Sequence, residues 1–172
     1  MAGLGVDVGG VIIARAGDED TSFFGKRPML TPPVEGAFDC LALLAKMRFG
    51  GSVHLVSKAG PRTAALTRSW LHHHDFFERT RIAPENLHFV QERGAKAEVC
   101  ARLGLAHFID DRLDVLRSLK TVEHKYLFVS GIGGHAVPSE PDGQVTRVHA
   151  WADMVEVVAR IMDQSPATGS WR

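Results

Sequence analysis

The sequence is poor in cysteine and tyrosine, with two of the first and one of the second among 172 residues. Cys40 and Cys100 form no Cys-x-x-Cys pair and no finger-type spacing, which excludes a disulfide framework and a zinc module. Both fall within helical patterns, on or near the apolar face, and are expected to be reduced thiols of a cytoplasmic protein. Charge of one sign is missing too: Lys+Arg and Asp+Glu are both 20. That balance gives no electrostatic case for nucleic acid or an anionic membrane. No apolar run approaches the about 18 residues of a membrane span. Asp7 interrupts the first apolar stretch, so neither a span nor a signal peptide is expected. Internal repeats and low-complexity segments are absent as well.

What is present is ordinary for a globular chain: 45% apolar and 23% charged residues, at a length that fits one domain. We expect that domain over residues 1–163, followed by a tail over 164–172. Short apolar runs alternate with helical patterns. Strands are predicted at Leu4–Val8, Val53–Val56, Leu87–Val90, Leu105–Ile109, Tyr126–Val129 and Val145–Val148. Between them, helical spacing appears over Val34–Met47, Pro61–His73, Ala95–Leu103, the Leu113/Leu116/Leu119 segment and the segment from Trp151. Strands alternating with helices predict an α/β fold, a three-layer, Rossmann-like, doubly wound parallel sheet. Residues 9–33 form a Gly/Pro-bearing flap that includes Asp18, Glu19 and Asp20, too short for a sizeable cap domain.

In such sheets ligands gather at the C-terminal ends of the strands. Polar residues end three of these strands: Asp7, Ser57 and the pair Asp110-Asp111. Two carboxylates delivered to one rim suit a hard cation with oxygen ligands. Other features carry less. His72, His73 and His74 are consecutive on a helix and diverge, so they read as a solvated helix end. Gly131-Ile132-Gly133-Gly134 lacks the Gly-x-Gly-x-x-Gly spacing and reads as a loop near the rim. Residues 78–81 read as a charged surface turn. Asp111 is expected to cap the helix that follows it.

The motifs resemble those of the haloacid dehalogenase-like superfamily of phosphotransferases and hydrolases. The resemblance rests on Asp7-Val8-Gly9-Gly10-Val11 after the first strand, Ser57 after the second, Lys96 at a helix start, and Asp110-Asp111-Arg112-Leu113-Asp114. It covers roughly Leu4 to Met162. It implies Asp7 as nucleophile and Lys96 as a catalytic cation, although Arg93 and Lys58 compete for that place. It implies Mg²⁺ held by Asp7, Asp110 and the main-chain carbonyl of Gly9. It implies a phosphate held by Ser57, Lys96, Val8 and Gly9. Asp111 and Asp114 would support the site, Asp114 by orienting Lys96 or a metal-bound water. The partner implied is a phosphorylated substrate or ligand, with no membrane or nucleic acid.

One position departs from the family pattern. Its phosphatases carry a second aspartate two residues after the nucleophile, as general acid and base, and here that place is Gly9. A positioned acid/base contributes about 10²–10⁴-fold. Two expectations follow: a phosphohydrolase of weak or unusual activity, or a non-catalytic protein that binds Mg²⁺ and a phosphorylated ligand or a protein partner.

Overall fold

The computed structural model describes residues 2–15, 21–129 and 145–164. Asp18, Glu19 and Asp20, the Gly131–Gly134 loop and the tail from residue 165 lie outside them. The strands are β1 (Gly3–Val6), β2 (Val53–Lys58), β3 (Leu87–Val90), β4 (Leu105–Asp110), β5 (His124–Phe128) and β6 (Val145–Val148). The helices are α1 (Ala37–Leu44), α2 (Pro61–His73), α3 (Phe76–Thr80), α4 (Ala95–Leu103), α5 (Leu113–Ser118) and α6 (Trp151–Gln164). All six strands form one sheet in the order β3-β2-β1-β4-β5-β6, and every neighbouring pair is parallel. The chain winds outward from β1 to β3, then crosses back to β4 on the other side of β1. That reversal opens a crevice beyond the C-terminal ends of β1 and β4.

Alternating side chains feed two cores, one on each face of the sheet. Leu4, Val6, Leu55, Ile109 and Tyr126 pack with Leu41 of α1, Trp70 of α2, Phe76 of α3 and Met154 of α6. Val56, Phe108 and Leu127 pack with Val99 and Cys100 of α4 and Leu116 of α5. The strands therefore read as continuous apolar runs because both faces are covered. Gly5 has a local task in this arrangement: a Cβ there would run into the Phe108 ring, so its absence lets that ring cross β1.

Several boundaries differ from the sequence reading. The segment from Val34 does not begin a helix, because Val34 N–H donates to the Ile12 carbonyl at 2.8 Å and closes the base of the flap. Helix α1 starts after Gly36, whose φ is +78°, and ends in a π turn over Ala45–Phe49 that drives Phe49 into the core. Residues 78–81 are not a free surface turn. Phe76 and Phe77 are buried, and Thr80 Oγ1 donates to the Phe76 carbonyl, so the segment folds as α3 with Arg81 in the left-handed conformation behind it. Of the three histidines, His72 and His73 are exposed. His74 stacks on Trp70 at 4.1 Å and meets the Met29 carbonyl at 2.9 Å. Cys100 is buried, Cys40 is half-buried, and both are free.

Among the described residues no helical cap separates β1 from α1; the connection holds one short 3-10 turn, Pro28–Leu30. Tryptophan N–H groups hold this connection down: Trp70 Nε1 donates to the Thr31 carbonyl and Trp151 Nε1 to the Val11 carbonyl, both at 2.9 Å. No described helix is long and apolar enough to cross a membrane.

Candidate active site at the β1/β4 crevice

Asp7 follows the last residue of β1, and its backbone N–H donates to the Ile109 carbonyl at 2.9 Å. That bond fixes Asp7 against β4. The chain then turns at once: the Val8 carbonyl accepts from Ile12 at 2.8 Å and Ile13 at 3.1 Å, with Gly10 at φ +80°. Asp110 is the last residue of β4, fully buried, and its Oδ1 accepts from Arg112 N–H at 3.0 Å. Lys96, in the first turn of α4, enters from the side. Its Nζ donates to Asp7 Oδ1 and to Asp110 Oδ2, each at 2.9 Å. The Phe108 ring, admitted by Gly5, lies 5.7 Å from the same ammonium. Ser57, near the end of β2, and Gly9 border the cleft above Asp7, which has a volume of about 580 Å³. Asp7, Ser57 and Lys96, named from strand ends and a helix start, thus line one crevice, and Asp110 is buried behind it, bonded to Lys96. Arg93 and Lys58 line the cleft, but Lys96 alone bridges the two aspartates among the described residues.

Asp111 does not cap α5; Arg112 occupies the cap position. Instead Asp111 Oδ2 accepts from Arg15 at 2.8 Å, a contact across the flap that sequence order conceals. Gly10 makes it possible, since a Cβ at Gly10 would fall 2.5 Å from Asp111 Oδ2 and 2.6 Å from Arg15 Nε. Asp114 turns to Arg112, at 3.3 Å, rather than to Lys96. Its carboxylate is largely exposed. Arg15 and the aromatic pair Phe23-Phe24 also line the cleft. Neither carries a periodic or strand-end signal that would mark it in the sequence.

The electrostatics follow from crowding. Burial pushes the Asp7 carboxyl up to about 6; the Lys96 charge opposes this and the Asp111 carboxylate adds to it. Burial and the Asp7 charge hold Asp110 well above the ordinary carboxyl range. Burial alone would lower Lys96, but Asp7 and Asp110 together outweigh it and keep Lys96 charged. Asp7, Asp110 and Asp111 each present an oxygen within 4.8 Å of the others. Lys96 pairs with Asp7 and Asp110, and Arg15 with Asp111. Asp111 Oδ1 is buried and has no hydrogen-bond partner. An orphaned carboxylate oxygen beside an all-oxygen cluster fits a hard divalent cation.

No protein-family model matches the chain, and no curated protein does. Solved structures do. An uncharacterized protein from Listeria monocytogenes serotype 4b superposes with a TM-score of 0.63 at 10% identity, over 95% of this chain and 99% of that one. A HAD family hydrolase from Deinococcus radiodurans R1, with bound phosphate and sodium, gives 0.55 at 15% identity, over 81% of this chain and 64% of that one. A conserved haloacid dehalogenase-like protein of unknown function from Agrobacterium tumefaciens gives 0.51 at 13% identity, over 76% and 61%. The matched part is thus under two-thirds of the length of either haloacid dehalogenase-like structure. At these identities the likeness carries the fold, and the fold of this chain is that of the haloacid dehalogenase-like hydrolases.

Proposed function

We propose that this chain is a Mg²⁺-dependent phosphate-ester hydrolase that works through an aspartyl nucleophile, with weak or unusual turnover. One observation carries the reading: Lys96 bridges Asp7 and Asp110 at 2.9 Å each, at the floor of an open crevice where two strand ends converge. The phosphate in the Deinococcus radiodurans hydrolase supports the choice of ligand class. Asp7, Asp110, Asp111 and the Gly9 carbonyl would hold the cation. When bound, Mg²⁺ supplies the positive charge that lets an anionic nucleophile and an anionic phosphate share one site.

The chain's own residues do the rest. Asp7 must be ionised to attack phosphorus, and Lys96 favours that form while drawing the phosphoryl oxygens in. Ser57 donates a hydrogen bond to a phosphate oxygen, and the Val8 and Gly9 backbone borders the same oxygens. Arg15 holds Asp111 in place beside Asp7 and Asp110. Gly9 has no side chain to move a proton, so solvent protonates the departing oxygen and the water that completes hydrolysis is unassisted. The lost acid/base amounts to roughly 3–5 kcal/mol of barrier. Two free thiols suit a reducing, cytoplasmic setting.

A second reading, a binding protein without turnover, is favoured by the same vacancy: a Cβ at Gly9 would meet nothing within 4 Å, and no side chain is there. Phosphate release from a panel of esters with Mg²⁺, compared between the wild type and Asp7→Asn, separates the two. Release that vanishes with Asp7→Asn is expected; binding without release would establish the second reading. Because the space at Gly9 is open, Gly9→Asp is expected to raise turnover of poor leaving groups.

A further inference from the structure

Phe24 is 78% exposed, an unusual state for a phenylalanine beside a cluster of buried charges. It borders the same cleft as Asp7, Ser57 and Lys96. Phe23 packs against the main core, and Phe24 meets it edge to face, with centroids 5.3 Å apart at 73°. The turn that carries them is pinned: Gly25 N–H donates to the Ser22 carbonyl at 2.8 Å, and Thr31 Oγ1 donates to the Thr21 carbonyl at 2.6 Å. The two rings also border an adjoining hollow of about 600 Å³ with Leu66 of α2, so an apolar group has room beside them. An anchored, exposed ring next to a phosphate-sized charged site suits a ligand that has a ring attached to its phosphate.

Gly9 points to the same ligand from a different direction. With no acid to protonate the leaving oxygen, the site handles best an ester whose oxygen departs as an anion. A phenol, with a pKa of about 10, leaves in that form far more readily than an alkyl alcohol. We infer that the cleft is built for aryl phosphate esters, with the phosphate at Asp7 and Lys96 and the aromatic ring against the Phe23–Phe24 wall. This rests on Asp7 as nucleophile. Asp7 forms an O–P bond as the aryl O–P bond breaks, and the electron pair leaves on the phenolate. Water then attacks the aspartyl-phosphate and restores the Asp7 carboxylate. The proton released by that water goes by way of solvent to the phenolate, giving phenol and inorganic phosphate.

The test measures kcat/KM for phenyl, cyclohexyl and methyl phosphate with Mg²⁺, on the wild type, Phe24→Ala and Gly9→Asp. It also measures the binding of phenylphosphonate and methylphosphonate, which cannot turn over. The wild type is expected to favour phenyl over cyclohexyl phosphate by on the order of 100-fold, and Gly9→Asp to narrow that gap. Phe24→Ala is expected to lose about fivefold more on phenyl than on methyl phosphate, and likewise in phosphonate affinity. Equal treatment of aryl and alkyl esters, or an equal loss on both in Phe24→Ala, would overturn the inference and leave the hydrolase reading standing. Phe24-dependent preference for phenylphosphonate with no ester hydrolysed would do the reverse: the ring subsite would stand and the hydrolase reading would fall.

Discussion

Lys96 Nζ lies 2.9 Å from Asp7 Oδ1, and their side chains are only 3% and 12% exposed. Removing one partner of such a pair leaves the other as an uncompensated buried charge, which typically costs about 3–5 kcal/mol. Lys96→Met should therefore destabilise the metal-free protein by about 3 kcal/mol near pH 7.5. The deficit should shrink at pH 5, where Asp7 can shed its charge by taking up a proton. Urea unfolding of both proteins at the two pH values measures this. A deficit independent of pH would mean that lost packing, not charge, is responsible.

Asp7 itself opposes folding when ionised. Its carboxyl titrates at about 6 in the folded chain against 3.8 ordinarily, so the folded state binds more protons between those values. Its contribution to stability is then greatest at low pH and falls as pH rises towards 6. Above that, Asp7→Asn, which leaves Lys96 paired with Asp110, is expected to be more stable than the wild type by roughly 1–3 kcal/mol in metal-free buffer, while losing phosphate release. Mg²⁺ should raise the Tm of the wild type more at pH 7.5 than at pH 5, and that of Asp7→Asn hardly at all. Scanning calorimetry with and without chelator gives all four values.

His107 should act in the opposite sense. It is 3% exposed, its Nδ1 lies 2.8 Å from the Tyr126 hydroxyl, and Phe49 and His124 flank its ring. Burial, with a smaller contribution from His124, lowers it to about 4 from 6.5. The unfolded chain takes up this proton first. The stability that His107 contributes is thus complete above pH 6.5 and is lost as pH falls towards 4. The margin of the wild type over His107→Gln should narrow by up to about 1.4 kcal/mol per pH unit in that window.

The adjacent glycines Gly9 and Gly10 should respond in opposite ways. A Cβ at Gly9 meets nothing, so Gly9→Ala is expected to stay within about 0.5 kcal/mol of wild type. Gly10 has φ +80°, and a Cβ there collides with the Arg15–Asp111 pair. Gly10→Ala should cost at least about 1–2 kcal/mol from backbone conformation alone, with a further loss from the broken pair. It should also weaken the Tm shift on adding Mg²⁺, because Asp111 would lose its orientation.

The order of strands and helices was legible in the amino-acid sequence because each element has its own period and its own punctuation. Gly104 stops α4 in the left-handed conformation at the place where the pattern ends. Asp7, Ser57 and Asp110 stood out because a polar residue closing a buried strand is a local anomaly, visible without any contact. Parallel pairing then brings such strand ends to one rim, whatever loops join them.

Tertiary structure decided the rest. The Arg15–Asp111 pair spans most of the flap and three strands of sequence, and nothing local foretells it. Asp114 pairs with Arg112, two residues away, where the resemblance implied Lys96 or a metal-bound water as its partner. Helix α3 exists because Phe76 and Phe77 found a core to enter. The Phe23–Phe24 wall beside the cleft depends on where Trp70 and Thr31 anchor the flap. The sequence by itself determined a parallel α/β sheet with carboxylates at its rim, since periodicity and strand ends are short-range properties. Which charges pair, and which aromatic ring faces the site, were decided only when distant loops packed, because those choices depend on distances that no sequence interval encodes.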